Sequence, residues 1–135
     1  MKYLFTFFII PLLLLNTTTK KEDFIGKWAG EDQNQIGYIT FDNDGYAAFE
    51  INGEVMGGKE FYIKGQKGKM TYTINYDTNP IEVDFTITKI QSGESNKILG
   101  IAEFTDVDTF IFDLSFNNER PTAFGDNSIT LNRVK

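Results

Sequence analysis

Acidic side chains are the residues of this chain whose spacing could support chemistry. Glu82 and Asp84 alternate with apolar residues in a segment that we predict to be a strand, so both carboxylates fall on one face. Paired carboxylates can perform general acid–base chemistry, as in glycosidases, if Glu103 or Asp113 lies close to them. The alternative, which we favour, is the solvated polar face of an amphipathic strand.

A second group of oxygen ligands is formed by Asp42 and Asp44, which Gly45 follows. Calcium binds such oxygens, but an EF-hand loop needs a longer series of oxygen ligands and a more distant glutamate. The sequence does not supply that series. We therefore predict a tight turn at these residues and no metal site.

The sequence contains neither histidine nor cysteine. Their absence removes disulfides, thiolate chemistry and the side chain most used for proton transfer near neutral pH. No Gly-x-Ser-x-Gly elbow and no glycine-rich phosphate loop is present. We predict a non-catalytic protein without catalytic residues or cofactors. The net charge of −6 argues against a nucleic-acid partner.

The N-terminal segment has the layout of a secretory signal peptide. Lys2 precedes an apolar run from Leu4 to Leu15 that only Thr6 interrupts, and a polar stretch follows. A membrane-spanning helix needs about 20 apolar residues, more than this run contains. We predict a signal peptide over residues 1–19 and an exported domain over residues 20–135, in the periplasm or outside the cell. Membrane contact is expected only if the segment stays uncleaved.

The rest of the chain shows period-two alternation interrupted by turn residues, which is typical of short strands. The pattern predicts eight or nine strands at about ten-residue spacing, within residues 24–31, 36–41, 46–51, 55–64, 69–76, 81–90, 97–105, 109–116 and 128–134. The fold class is therefore all-β, an antiparallel up-and-down meander. Closure into a barrel would remove the exposed edges of so large a sheet.

Both ends of the predicted meander resemble lipocalins and related calycin-type barrels. Gly26-Lys27-Trp28 is a Gly-x-Trp at the start of the first strand, and Arg133 ends the last strand. The resemblance implies that Arg133 packs across Trp28 and closes the barrel base, with a cation–π contact between them. Gly26 would permit a close approach of neighbouring groups. These three residues are expected to be structural.

Further short motifs occur in an order similar to that in uncharacterised bacterial lipocalin-like domains. They are Asp44-Gly45, the segment 72–80, Gly100-Ile101 and Arg120-Pro121-x-x-Phe124. The resemblance covers nearly all of residues 24–135. It implies a lipocalin-like barrel and says little about function, because one fold serves many functions.

Several aromatic residues are predicted to face the interior of the barrel and to contact a ligand. They are Tyr72, Tyr76, Phe85 and Phe112, with Phe110 and Phe116 on the same inward stripes. Arg120 is a candidate for an anionic ligand group, through bidentate hydrogen bonds. A side-chain-filled barrel and a loop-fixing salt bridge at Arg120 are the alternatives.

Two functions remain open from the sequence. The first is an exported, lipocalin-like binding protein for a small apolar or amphipathic ligand. The second is a protein-interaction module, such as an inhibitor, an immunity factor or an envelope accessory factor, in which a solid barrel presents binding loops. A cavity of about 300 Å³ or more favours the first. A fully packed interior with an apolar patch on the loops favours the second.

Overall fold

The computed structural model describes residues 23–31 and 36–135, so the predicted signal peptide lies outside the described residues. The described chain forms ten strands: β1 (Gly26–Gly30), β2 (Tyr38–Phe41), β3 (Ala47–Ile51), β4 (Glu54–Gly57), β5 (Phe61–Ile63), β6 (Gln66–Asn75), β7 (Ile81–Lys89), β8 (Ser95–Asp106), β9 (Thr109–Ser115) and β10 (Ile129–Arg133). In this part of the chain, no helix is long and apolar enough to cross a membrane.

The ten strands form one antiparallel sheet in the order β4-β3-β2-β1-β10-β9-β8-β7-β6-β5. Closure near β3 and β6 comes from an isolated bridge between Tyr46 and Thr71. Gly58 adds to it, since its N–H donates to the Ala47 carbonyl at 2.7 Å and its carbonyl accepts from the Met70 N–H at 2.9 Å. The predicted all-β meander is confirmed as a nearly closed barrel, compatible with a lipocalin-like one.

The extra strand arises where one strand was predicted over residues 55–64. Gly57 and Gly58 have φ angles of 127° and 85°, a region that side-chain-bearing residues rarely adopt. A Cβ at Gly57 would also lie 2.5 Å from the Ala47 carbonyl oxygen. The chain turns at these glycines, so the predicted strand is divided into β4 and β5.

The meander gives the barrel two different ends. We call the end with the start of β1 and the end of β10 the base. We call the opposite end the mouth, where β1 ends, β2 begins, β3 ends, β9 ends and β10 begins. The long connection over residues 116–128, which we call the mouth loop, joins β9 to β10 at this end.

Aromatic side chains fill the centre of the barrel. The largest fully buried ones are Trp28, Phe24, Phe41, Phe49, Phe85, Phe110 and Phe112. Their rings meet mostly edge to face, as for Phe49 and Phe85 at 4.9 Å and Phe110 and Phe112 at 5.5 Å between centroids. The predicted inward orientation of Tyr72, Phe85, Phe110 and Phe112 agrees with this core. The alternative of a side-chain-filled barrel holds for its centre.

Phe116 differs from the other predicted inward aromatic residues because its side chain is 67% exposed. It nevertheless lines a cavity together with Phe112 and Leu114, which lie four and two positions before it. Strand β9 ends at Ser115, so Phe116 belongs to the mouth loop and lies at the rim of the barrel rather than in its packed centre.

Candidate functional site

The base of the barrel is held together by Trp28 and Arg133, which are direct partners in the β1–β10 register. The guanidinium carbon of Arg133 lies 4.3 Å from the centre of the Trp28 ring, within cation–π range. The indole N–H of Trp28 donates to the Phe24 carbonyl at 2.9 Å. The contact that the lipocalin resemblance implied is present.

Arg133 also closes the base with its other donors. Its Nη1 and Nη2 groups donate to the carbonyls of Ile25 and Asp23, each at 3.0 Å. Its Nε donates to the Asp108 carboxylate at 2.7 Å. Gly26 has a φ of 128°, and a Cβ there would lie 3.4 Å from Nη1 of Arg133. These contacts join β10 to the start of β1 and to the β8–β9 turn at the base.

The mouth carries an apolar pocket of about 460 Å³. Its lining comes from strand ends and the mouth loop: Ile36, Ile51, Phe112, Leu114, Phe116, Asn127 and Ile129. Phe112 forms its floor, since this ring also belongs to the buried core. Phe116 lies at its exposed edge. The pocket is larger than the roughly 300 Å³ at which small-molecule sites begin.

One wall of the pocket is the mouth loop, which is fixed to the outer face of the barrel. Arg120 forms a bidentate ion pair with Asp84, at 2.6 and 3.2 Å, and donates to the Gly100 carbonyl at 3.1 Å. Glu82 lies 3.7 Å from Nε of Arg120. The hydrogen bond to Asp84, with the charges of Asp84 and Glu82, raises the pKa of Arg120 above its ordinary value, against the opposing effect of burial.

The second attachment of the mouth loop is Asp113 on β9. Its carboxylate accepts from the Gly125 N–H at 3.1 Å and from the Ser128 hydroxyl at 3.3 Å. Ile101 lies on the same outer face, in register with Glu82 and Asp113, yet it is only 2% exposed. The loop therefore covers this face of the sheet and holds Phe116 and Asn127 beside the pocket.

The remaining predicted ligand residues lie away from the mouth pocket. The Tyr72 hydroxyl donates to the Asp42 carbonyl at 2.7 Å, and burial, followed by the nearby Asp42 charge, raises the pKa of Tyr72. Tyr76 lines a separate cavity of about 280 Å³ near the base. Phe85 lies in the packed centre. Of the five predicted ligand residues, Phe112 alone lines the mouth pocket. Ligand contact by all five stays a prediction.

Three of the four carboxylates considered for acid–base chemistry are engaged in other contacts. Glu82 and Asp84 face Arg120, and Asp113 binds the mouth loop. Glu103 lies apart from them, beside a separate cavity near the base. Asp42 accepts through Oδ1 from the N–H groups of Asp44 and Tyr46, which confirms the predicted tight turn. Among the described residues, no group of three or more His, Cys, Asp or Glu side chains is placed to hold a metal ion.

No protein-family model, no curated protein and no solved structure matches this chain. The likeness to lipocalins therefore rests on the barrel and its base. Function has to be inferred from the site itself, because a barrel of this kind can serve many purposes.

The anchoring of the mouth loop makes a prediction about Arg120. Replacing it by alanine leaves the partly buried Asp84 without its partner and should lower the free energy of unfolding by about 1–3 kcal/mol. The same change should speed hydrogen exchange at the Gly125 amide, because the loop is released. Lys97→Ala, an exposed change on β8, is the control. Unaltered exchange at Gly125 in Arg120→Ala would show that Arg120 does not hold the loop.

Proposed function

We propose that this protein is an exported, non-catalytic binding protein of lipocalin-like architecture, which takes a small apolar or amphipathic ligand into the mouth pocket. One observation carries the proposal, the apolar pocket of about 460 Å³ at the mouth of the barrel. For comparison, an apolar cavity of about 150 Å³ takes one benzene molecule. The mouth pocket has room for an acyl chain of moderate length or a molecule of two or three rings.

The packing of the barrel supports a ligand held at the mouth rather than along the barrel axis. Phe85 and Phe112 fill the centre, with ring centroids 6.1 Å apart. A ligand would therefore rest on Phe112 and against Ile51 and Leu114, with its outer end near Phe116. Burial of such apolar surface is worth about 25 cal/mol per Å² before the cost of immobilising the ligand.

A protein-interaction module is the second candidate function. The filled core and the exposed ring of Phe116 favour it, since exposed aromatic side chains are common in protein interfaces. In that case an apolar side chain of a partner protein would occupy the pocket. The two functions differ in whether a free small molecule binds.

The test is a titration of the protein with the neutral fluorescent probe N-phenyl-1-naphthylamine. We expect saturable binding by the wild-type protein and at least about a tenfold weaker affinity in Ile51→Trp, equivalent to 1.4 kcal/mol, because the larger ring fills the pocket. Val55→Trp is the matched control, since Val55 is an exposed residue of the neighbouring strand.

Near-ultraviolet circular dichroism of both variants checks that they remain folded. If wild type and Ile51→Trp bound the probe with equal affinity, the probe would not bind in the mouth pocket. No saturable binding by the wild type would favour the protein-interaction module.

A further inference from the structure

The edge of the mouth pocket is acidic. Glu54 lies opposite Ile51, a lining residue, in the β3–β4 register. Asp126 immediately precedes the lining residue Asn127. Both side chains are exposed, as are those of Glu31, which follows β1, and of Glu119 in the mouth loop. A charged ligand approaching this side of the pocket therefore meets carboxylates, whereas the lysines at the same end of the barrel, Lys64, Lys67, Lys89 and Lys97, lie at the mouth ends of β5 to β8.

Positive charge is scarce at the same edge. Among the described residues of the segments that border the pocket, 31, 36–37, 51–54 and 116–128, Arg120 is the one basic residue. Its guanidinium group faces Asp84 and the Gly100 carbonyl on the outer face of the sheet. An anionic head group beside Glu54 and Asp126 would therefore find no free cationic partner in these described segments.

Phe116 adds a feature that attracts cations. Its ring is 67% exposed and forms part of the pocket lining. The face of an aromatic ring attracts ammonium groups, and quaternary ammonium ligands are commonly recognised in this way. The pocket thus combines an apolar lining with one exposed ring, and exposed carboxylates lie on neighbours of its lining residues.

We propose that the ligand is a cationic amphiphile, an inference that rests on the proposed function. Its apolar part occupies the pocket above Phe112, and its ammonium-type head lies at the edge beside Phe116, between Glu54 and Asp126. The acidic edge selects the sign of the head group, and the apolar lining supplies most of the affinity. Because the carboxylates are exposed, the selectivity weakens as salt is added.

The experiment compares three probes with the same ten-carbon chain: decyltrimethylammonium, decyl maltoside and decyl sulfate. The affinity of each probe is measured by its displacement of N-phenyl-1-naphthylamine from the wild-type protein, with the probe kept below its critical micelle concentration. Near-ultraviolet circular dichroism checks that the protein stays folded. At low salt we expect decyltrimethylammonium to bind at least about tenfold more tightly than decyl sulfate, with the maltoside between them, a gap of about 1.4 kcal/mol. The ratio of the ammonium affinity to the sulfate affinity should fall as salt is added.

Two double variants distinguish the effect of the acidic edge on binding from the effect of the protein's net charge. Glu54→Gln with Asp126→Asn should reduce the preference for the ammonium probe and leave maltoside affinity nearly unchanged. Asp44→Asn with Asp77→Asn removes the same charge from exposed turns at the base and should leave the preference intact. Phe116→Leu should lower the affinity for the ammonium probe more than the affinity for the maltoside.

Two outcomes overturn the inference while leaving the proposed function in place. One is sulfate binding that is as tight as ammonium binding. The other is an ammonium preference that the edge variant does not change. If none of the three probes displaces the fluorophore and the fluorophore itself does not bind, the proposed function fails, and the inference fails with it.

Discussion

Replacing Phe85 by alanine is expected to lower the free energy of unfolding by about 3–5 kcal/mol. Phe85 is fully buried at the centre of the barrel. Its ring contacts those of Phe41, Phe49 and Phe112, at centroid distances of 5.8, 4.9 and 6.1 Å. These rings come from four different strands, so they cannot move together to fill the space that the substitution leaves.

Urea denaturation followed by far-ultraviolet circular dichroism measures this loss. Single domains are commonly stable by only about 5–15 kcal/mol, so Phe85→Ala should lie close to the limit of folding. Thr86→Ala is the matched control, because Thr86 is the next residue of β7 and faces outward, and its cost should be well below 1 kcal/mol. A loss of less than about 1 kcal/mol in Phe85→Ala would contradict the filled centre described above.

Replacing Arg133 by alanine is expected to lower the free energy of unfolding by about 3 kcal/mol, since several charge-assisted hydrogen bonds and the contact with Trp28 are lost together. The carbonyls of Ile25 and Asp23 would each lose a donor. Arg133→Lys should recover little of the loss, because an ammonium group cannot reproduce the planar fork of donors. Trp28 is the single tryptophan of the chain, so its fluorescence reports on the base directly.

The pH dependence of the Arg133 effect follows from Asp108. Hydrogen bonds from Lys135 and then from Arg133 lower the pKa of Asp108. A lowered pKa in the folded state gives stability that is present above the ordinary aspartate pKa of about 3.9 and is lost as the pH falls through the folded value. The difference between wild type and Arg133→Ala should therefore narrow below about pH 4.

Lys135→Ala provides the control for the Arg133 variant. It removes the other hydrogen bond to Asp108, at 2.8 Å, and leaves the Trp28 contact in place. Its effect on stability should be small, because Lys135 is exposed. If Arg133→Ala were no more destabilising than Lys135→Ala, Arg133 would not be the residue that closes the base.

Alternation along the chain predicts much of the barrel because one face of each strand must be buried. In β7, Val83 and Phe85 face the core while Glu82 and Asp84 face outward, as the pattern predicts. The division at Gly57 was missed, because a glycine pair is compatible with a bulge as well as with a turn. The contact between Trp28 and Arg133 could be predicted because the Gly-x-Trp and the final arginine resemble an arrangement known in lipocalin barrels.

The mouth pocket could not be predicted in the same way. Alternation tells which face a residue occupies but not how far along the barrel axis it lies. Phe85 and Phe112 therefore have equivalent patterns, although only Phe112 lines the pocket. Ile51 and Leu114 lie on inward faces near the mouth ends of β3 and β9, and only the relative register of those strands brings them together. Arg120 binds Asp84, 36 residues away, by a fold of the mouth loop that no local pattern specifies.

Native mass spectrometry of the protein recovered from the envelope fraction of its own host tests the binding function most directly. It measures the mass of the mature chain and of any retained molecule together, and Ile51→Trp prepared in the same way serves as the comparison. We expect the wild-type protein to carry an additional mass that disappears on denaturation, and the variant to lack it. A bare mass for the wild type, with no thermal stabilisation by a panel of lipids and cationic amphiphiles, would contradict the binding function.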